Sequence, residues 1–152
     1  MPHAYAMCRL DADAPLPDWA THAFSSITRT ASELSIVCAS DDVPADVQVQ
    51  RGYRGLAVRG PLDVSLVGIV AALAGALAAA SISLFVVSTH DTDYLFVRGA
   101  DLDRAIAALR GAGQIVVTVD GGPYSPAESM HQARQRRADR HGHQSDDSAQ
   151  VG

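Results

Sequence analysis

The chain has 152 residues, 47% of them hydrophobic, with a formal net charge of -5 and 2 cysteines. That is one domain's worth of sequence, or two small modules sharing a core, with enough apolar content to fold without disulfides. All 12 basic residues are arginine, which excludes a Schiff-base or phosphate-loop lysine, and the acidic balance excludes a nucleic-acid partner, which needs a basic stripe.

In chain order, residues 4–10 read as a first strand. The opening MPHAYAMCRL lacks the charged start and apolar core of a signal peptide, so the expected location is the cytoplasm. Residues 11–17, DADAPLP, are turn-rich and leave room only for a short helix at 18–22. Two strand-like runs follow, 24–30 and 33–40, joined as a hairpin through Thr30, Ala31 and Ser32. Arg29 and Glu33 flank that hairpin as a cross-strand or turn pair. Cys8 and Cys38 each lie in an apolar strand and read as buried packing residues on adjacent strands, with no secretory context for a disulfide. Residues 41–50, DDVPADVQVQ, read as irregular or a single turn.

The second half is better formed. Residues 54–59 alternate as a strand; from 65 to 79, Leu66, Ile69, Val70, Leu73 and Leu77 recur at three- and four-residue steps, which predicts a helix capped by Ser65. Residues 82–87 switch to a branched and aromatic strand, 88–93 form a polar corner and 94–97 return. Residues 64–90 carry no charge and are long enough to cross a bilayer, but the run is rich in alanine, interrupted by Ser81 and Ser83, and lacks flanking aromatic or basic residues; no membrane association is expected. A second helix at 101–111 has Asp101 at its start and Leu102, Ile106 and Leu109 on one face, and 114–119 is a last strand.

The order strand, helix, strand, strand, helix, strand predicts an α+β, ferredoxin-like fold: an antiparallel sheet with both helices on one face. The first half repeats that order in outline with its helices cut to single turns. The expected domains are a reduced module at 1–50, a complete one at 51–119 and a disordered tail at 120–152, whose polar composition shows no apolar period. The tail histidines, His131, His141 and His143, make no dedicated metal site, and His90, Asp91 and Asp93 diverge on a hairpin corner; no metal or other cofactor is expected. No nucleophile with an adjacent base and no phosphate loop is visible, so an enzyme is not expected.

Three stretches carry a resemblance: SSITRTASELSIVC (25–38), RGLAVRGPLDVSLVGIVAAL (54–73) and ISLFVVSTHDTDYLFV (82–97). Together they resemble the tandem ACT-domain proteins, the family of the cytosolic arginine sensor CASTOR and of the regulatory end of aspartate kinases. The resemblance covers about residues 4–118. It implies a regulatory protein without catalytic activity that binds an amino acid or related metabolite where ACT modules meet, and that forms homo-oligomers. It further implies a binding loop of Asp63, Val64, Ser65, Leu66, Val67, Gly68 and Ile69 and a binding corner of Ser88, Thr89, His90 and Asp93. Two departures matter: Leu66 stands where the arginine sensor has an acidic residue, which disfavours arginine as ligand, and His90 replaces a tyrosine common in bacterial relatives.

The residues themselves are compatible with this role. Backbone amides at a helix start favour a carboxylate, Gly68 permits close approach, and Asp93 can face an ammonium. Each also has a purely structural reading: Ser65 as a cap, Gly68 as a packing contact, Thr89 and Asp93 as turn closers. The rival function is a ligand-free oligomerisation module working by sheet-edge pairing, for which 33–40 is the expected exposed edge.

Overall fold

The computed structural model describes residues 1, 3–21, 24–63 and 65–117. Residues 1–115 form one compact unit; a second unit begins at Val116, and of it only Val116 and Val117 are described. The expected disordered tail at 120–152 lies outside the described residues. So do His22 of the short helix and Val64 of the loop.

Among the described residues six strands make a single antiparallel sheet: β1 (Ala4–Leu10), β2 (Ser26–Arg29), β3 (Leu34–Ala39), β4 (Gln48–Ala57), β5 (Leu84–Ser88) and β6 (Asp93–Arg98), in the order β2-β3-β1-β4-β6-β5. Two α-helices, α1 (Ile69–Ala79) and α2 (Leu102–Gly111), accompany them, and a 3-10 turn at Asp18–Thr21 stands where the first half has room for a helix. This is an α+β fold of the ferredoxin-like kind.

Strand alternation sorts the core onto two faces. On one, Tyr5, Val37, Tyr53 and Phe96 are buried together with Met7, Phe24, Phe85, Val87 and Tyr94 packed around them. Phe85 stacks on Phe96 with centroids 4.8 Å apart, and Phe24 meets Tyr94 at 4.7 Å. No helical residue enters this aromatic cluster, so the helices cover the opposite face. There α2 buries Leu102, Ala105, Ile106 and Leu109 while touching β6 and α1, and α1 buries Leu73 and Leu77. In the first half the same face is closed by Ala6, Cys8, Leu34, Ile36 and Cys38 under Trp19, Ala20 and Val43. Cys8 and Cys38 are free thiols on neighbouring strands, one diagonal step apart in the β1–β3 register. Contact with Cys8 and burial push the Cys38 thiol well above its ordinary value.

Several elements differ from expectation. β4 begins at Gln48, inside the stretch read as irregular, and ends before Val58. Its two glycines and run of polar residues hide the pattern. Gly52, with φ 86°, is the extra residue of a bulge where the β1–β4 register shifts between Tyr5 and Ala6. β3 is interior, flanked by β2 and β1, so 33–40 is no edge; the edges are β2 and β5. Arg29 and Glu33 do not pair: Glu33 takes Arg9, and Arg29 donates to the carbonyls of Ala12 and Ala14.

α1 starts four residues late, at Ile69, because Gly68 at φ 84° breaks the helical path; Ser65 caps nothing. Asp101 does not cap α2 but accepts from Arg104 at 2.7 Å.

Of the expected strand at 114–119, residues 114–117 form no strand of the sheet, with only an isolated bridge at Val117; 118 and 119 lie outside the described residues. The reason is topological. In a six-element module the last strand lies beside the first, which in the second half is β4. That flank of β4 is taken by β1, extended by the amino group of Met1, which donates to Gly55 O at 3.0 Å.

Candidate functional site

The site grows from the connection between β4 and α1. Leaving β4, the chain is tied to the β5–β6 corner by Val58 N–H donating to Asp93 O at 2.9 Å and by the Thr92 hydroxyl donating to Val58 O at 2.7 Å. A cis Gly60–Pro61 bond follows, then Leu62 N–H donates to Asp91 O at 2.8 Å. Loop and corner are thus pinned together by backbone groups.

Asp63 then closes a small turn: its carboxylate accepts Ser65 N–H at 2.8 Å and its carbonyl accepts Leu66 N–H at 3.0 Å. That backbone donor holds the exposed Asp63 carboxyl below the usual carboxylate range. Gly68 sends the chain into α1, whose first intrahelical bond is Ala72 N–H to Gly68 O at 2.8 Å. No side chain caps this helix, so the amides of Ile69, Val70 and Ala71 keep their donor capacity and the positive end of the helix dipole.

The opposite wall is the corner. Thr89 N–H donates to Thr92 O at 2.9 Å, and the Thr89 hydroxyl meets the same carbonyl at 3.0 Å. The Ser88 hydroxyl donates to Asp93 Oδ1 at 2.5 Å, which fixes that carboxylate. His90 Nδ1 and Asp91 Oδ1 lie 2.8 Å apart, both largely exposed.

Between these walls lies an open cleft of about 340 Å³ lined by Leu62, Asp63, Leu66, Gly68, Ile69, Val70, Ala71 and the run from Thr89 to Asp93. Of the residues singled out from sequence, Asp63, Leu66, Gly68, Ile69, Thr89, His90 and Asp93 line it. Ser65 and Ser88 act behind it through Asp63 and Asp93. Val67 turns away and is 93% exposed. Val64 lies outside the described residues. Leu62, Val70, Ala71, Asp91 and Thr92 join the lining without having been singled out. Asp91 and Thr92 lie inside the corner already named, whereas Val70 and Ala71 become visible only once the helix start moves to Gly68.

Chemically, the cleft sets three carboxylates, Asp63, Asp91 and Asp93, near the amide end of a helix, with a hydrophobic floor from Leu62, Leu66 and Ile69. Among the described residues no group of three or more potential ligands is placed to hold a metal ion, and no helix is long and apolar enough to cross a membrane.

A helix-backed antiparallel sheet with a loop-and-corner cleft defines the class. Residues 48–111 match the profile of an ACT domain, and residues 3–46 match a separate profile described as an N-terminal domain. Protein Atu0741 from Agrobacterium tumefaciens, known from an X-ray structure, is 42% identical, with a TM-score of 0.69 over 73% of this chain and 84% of that one. The chain belongs to the same family as that protein, and its second half is an ACT domain. A Vibrio cholerae protein, VC0802, described as a possible transport protein, is 23% identical with a TM-score of 0.63, covering 75% of this chain and 87% of its own. The aspartate kinase of Clostridium acetobutylicum, an allosteric enzyme, shares the fold at 10% identity and a TM-score of 0.55, over 74% of this chain and 33% of the kinase. No curated protein matches the sequence.

Proposed function

We propose that the chain is a cytoplasmic, non-catalytic regulatory protein that binds a small amino acid or related metabolite in the cleft between the β4–α1 loop and the β5–β6 corner, and passes its occupancy to a partner. The observation that carries this is the pairing of opposite chemistries in one cleft. Uncapped amides of α1 suit a carboxylate, while Asp63, Asp91 and Asp93 suit an ammonium. An α-amino acid carries both. Leu66 supplies apolar surface where a guanidinium would want an acid, which disfavours arginine.

Belonging to the same reading is a tandem arrangement like that of the CASTOR-type sensors, with a reduced module at 1–50, a second at 51–119 and a tail from 120. Its support is that β2-β3-β1-β4 is itself the strand order of a ferredoxin-like module, with the 3-10 turn and the 40–46 loop in place of helices. Homo-oligomerisation belongs to it too. The rival reading, a ligand-free module acting through sheet-edge pairing, is favoured by one observation: β5 is an edge strand without a single charged residue.

The test is a thermal-shift screen of the purified protein against the twenty amino acids. A ligand at 100 times its dissociation constant stabilises the folded state by about 2.7 kcal/mol, which moves the midpoint by several degrees. The expected result is a hit lost in Asp93→Ala and retained in Val67→Ala. A flat screen with folded protein would sink the sensor reading and leave the edge-pairing one.

A further inference from the structure

The first half of the chain buries a pair of nucleophilic groups that the amino-acid cleft does not use. Cys8 of β1 and Cys38 of β3 are free thiols, each 1% exposed, in the cluster under Trp19, Ala20 and Val43. In the β1–β3 register Cys8 stands opposite Ile36 and Cys38 opposite Ala6, so the two thiols share a face at diagonal positions. They are in contact. The Cys38 thiol donates to the Cys8 sulfur, and this, against the cost of burial and with help from the Arg51 charge, holds the Cys8 thiol below its ordinary value.

Distance decides what such a pair can do. Diagonal cross-strand neighbours have Cα atoms about 7–8 Å apart, whereas a disulfide needs about 4.4–6.8 Å, so a direct sulfur–sulfur bond would require the strands to move. One ion between the sulfurs removes the mismatch, because two thiolate bonds of about 2.3 Å each, in line, span about 4.6 Å. Two neighbours suit an anionic centre at this place. Arg51 is pinned over the loop after β3 by donating to the carbonyls of Ser40, Val43 and Pro44, and its charge acts on both thiols. The Ser40 hydroxyl, two residues on from Cys38, is buried with no hydrogen-bond partner among the described residues. A thiolate would give its proton an acceptor.

We propose that Cys8 and Cys38 form a two-coordinate site for a soft monovalent metal ion, Cu(I). Thiolates select soft ions, and among the described residues no group of three potential ligands exists, which leaves tetrahedral zinc short of its four. On binding, both thiols lose their protons to solvent and no oxidation state changes: two thiols and Cu(I) become a bis-thiolate complex with one net negative charge, which Arg51 offsets. The site lies in the first half and is independent of the amino-acid reading.

The test is an anaerobic titration of the full-length protein with Cu(I) in competition with bathocuproine disulfonate, followed by copper X-ray absorption. The expected result is one Cu(I) retained per chain, with two sulfur neighbours and no nitrogen, release of two protons, and a thermal midpoint raised by several degrees. Cys8→Ala and Cys38→Ala should each lose the ion while keeping a thermal transition. If an alanine variant does not fold, the absorption spectrum of the wild type still decides the matter, since it reads the coordinating atoms directly. Nitrogen neighbours would assign the copper to histidines, and a folded wild type that retains none would make the pair packing alone; either result overturns the proposal. So would copper kept by a folded alanine variant.

Discussion

At the scale of single residues, the cleft is held by contacts that leave no room for substitution. A Cβ on Gly60 would lie 2.8 Å from Asp91 O and 3.1 Å from Thr92 Cβ, and the obstacle is backbone, which cannot swing aside. Gly60→Ala should therefore cost about 1–3 kcal/mol and weaken any ligand that the thermal screen finds, whereas Gly75→Ala, with nothing within 4 Å, should not weaken it. Asp63 offers a check on the loop itself. Its depressed pKa means that the ionised form is the one the fold favours. The contact with Ser65 N–H is thus fully present above the ordinary value of 3.8 and is lost only as pH falls through the lower, folded value. A carbon-detected NMR titration should place the Asp63 midpoint under 3.8; a midpoint at or above it would mean that the turn is not formed in solution. Seven of the cleft residues were implied by the ACT resemblance, whose loop and corner coincide with the two walls of the cleft. Leu62 was not, since what places it is its backbone bond to Asp91 O across 29 positions of sequence.

At the scale of elements, both helices end the same way with different residues. Ser81 N–H and Ile82 N–H close α1 on Ala78 O and Leu77 O, and Gly113 N–H and Gln114 N–H close α2 on Arg110 O and Leu109 O. Each end needs one residue with positive φ: Gly113 supplies it freely at 85°, Ser81 at 56° under strain. Ser81→Gly should stabilise the protein by about 0.5–1 kcal/mol, and Gly113→Ala should destabilise it by about 1–2 kcal/mol, both readable by urea denaturation. If the two substitutions moved stability in the same direction, the paired assignment would be wrong. The glycines also explain which elements the sequence hid. α2 was legible to within a residue because Leu102, Ile106 and Leu109 keep period and Gly113, at positive φ, ends it. α1 was read as starting at Ser65 because Leu66 fits the helical period, although it is 55% exposed; Gly68 outweighs that one match. In β4, Gly52 and Gly55 with Arg51 and Arg54 between and beside them erase the alternation that marks a strand. It is tertiary pairing on both flanks, with β1 and with β6, that makes them one.

At the scale of the whole molecule, β4 is shared. Its first half closes the strand order β2-β3-β1-β4, and its second half opens the order β4-β6-β5. The strands of each half were legible in their periodicity; the sharing of β4 was not, because no local pattern shows which strand fills the place beside it. That arrangement has a consequence for truncation. Among the described residues, the buried apolar core lies between Tyr5 and Leu109. A chain ending at residue 119 should keep the thermal transition of the full-length protein within about 0.5 kcal/mol. Loss of the transition in that shortened chain would place part of the core beyond residue 119.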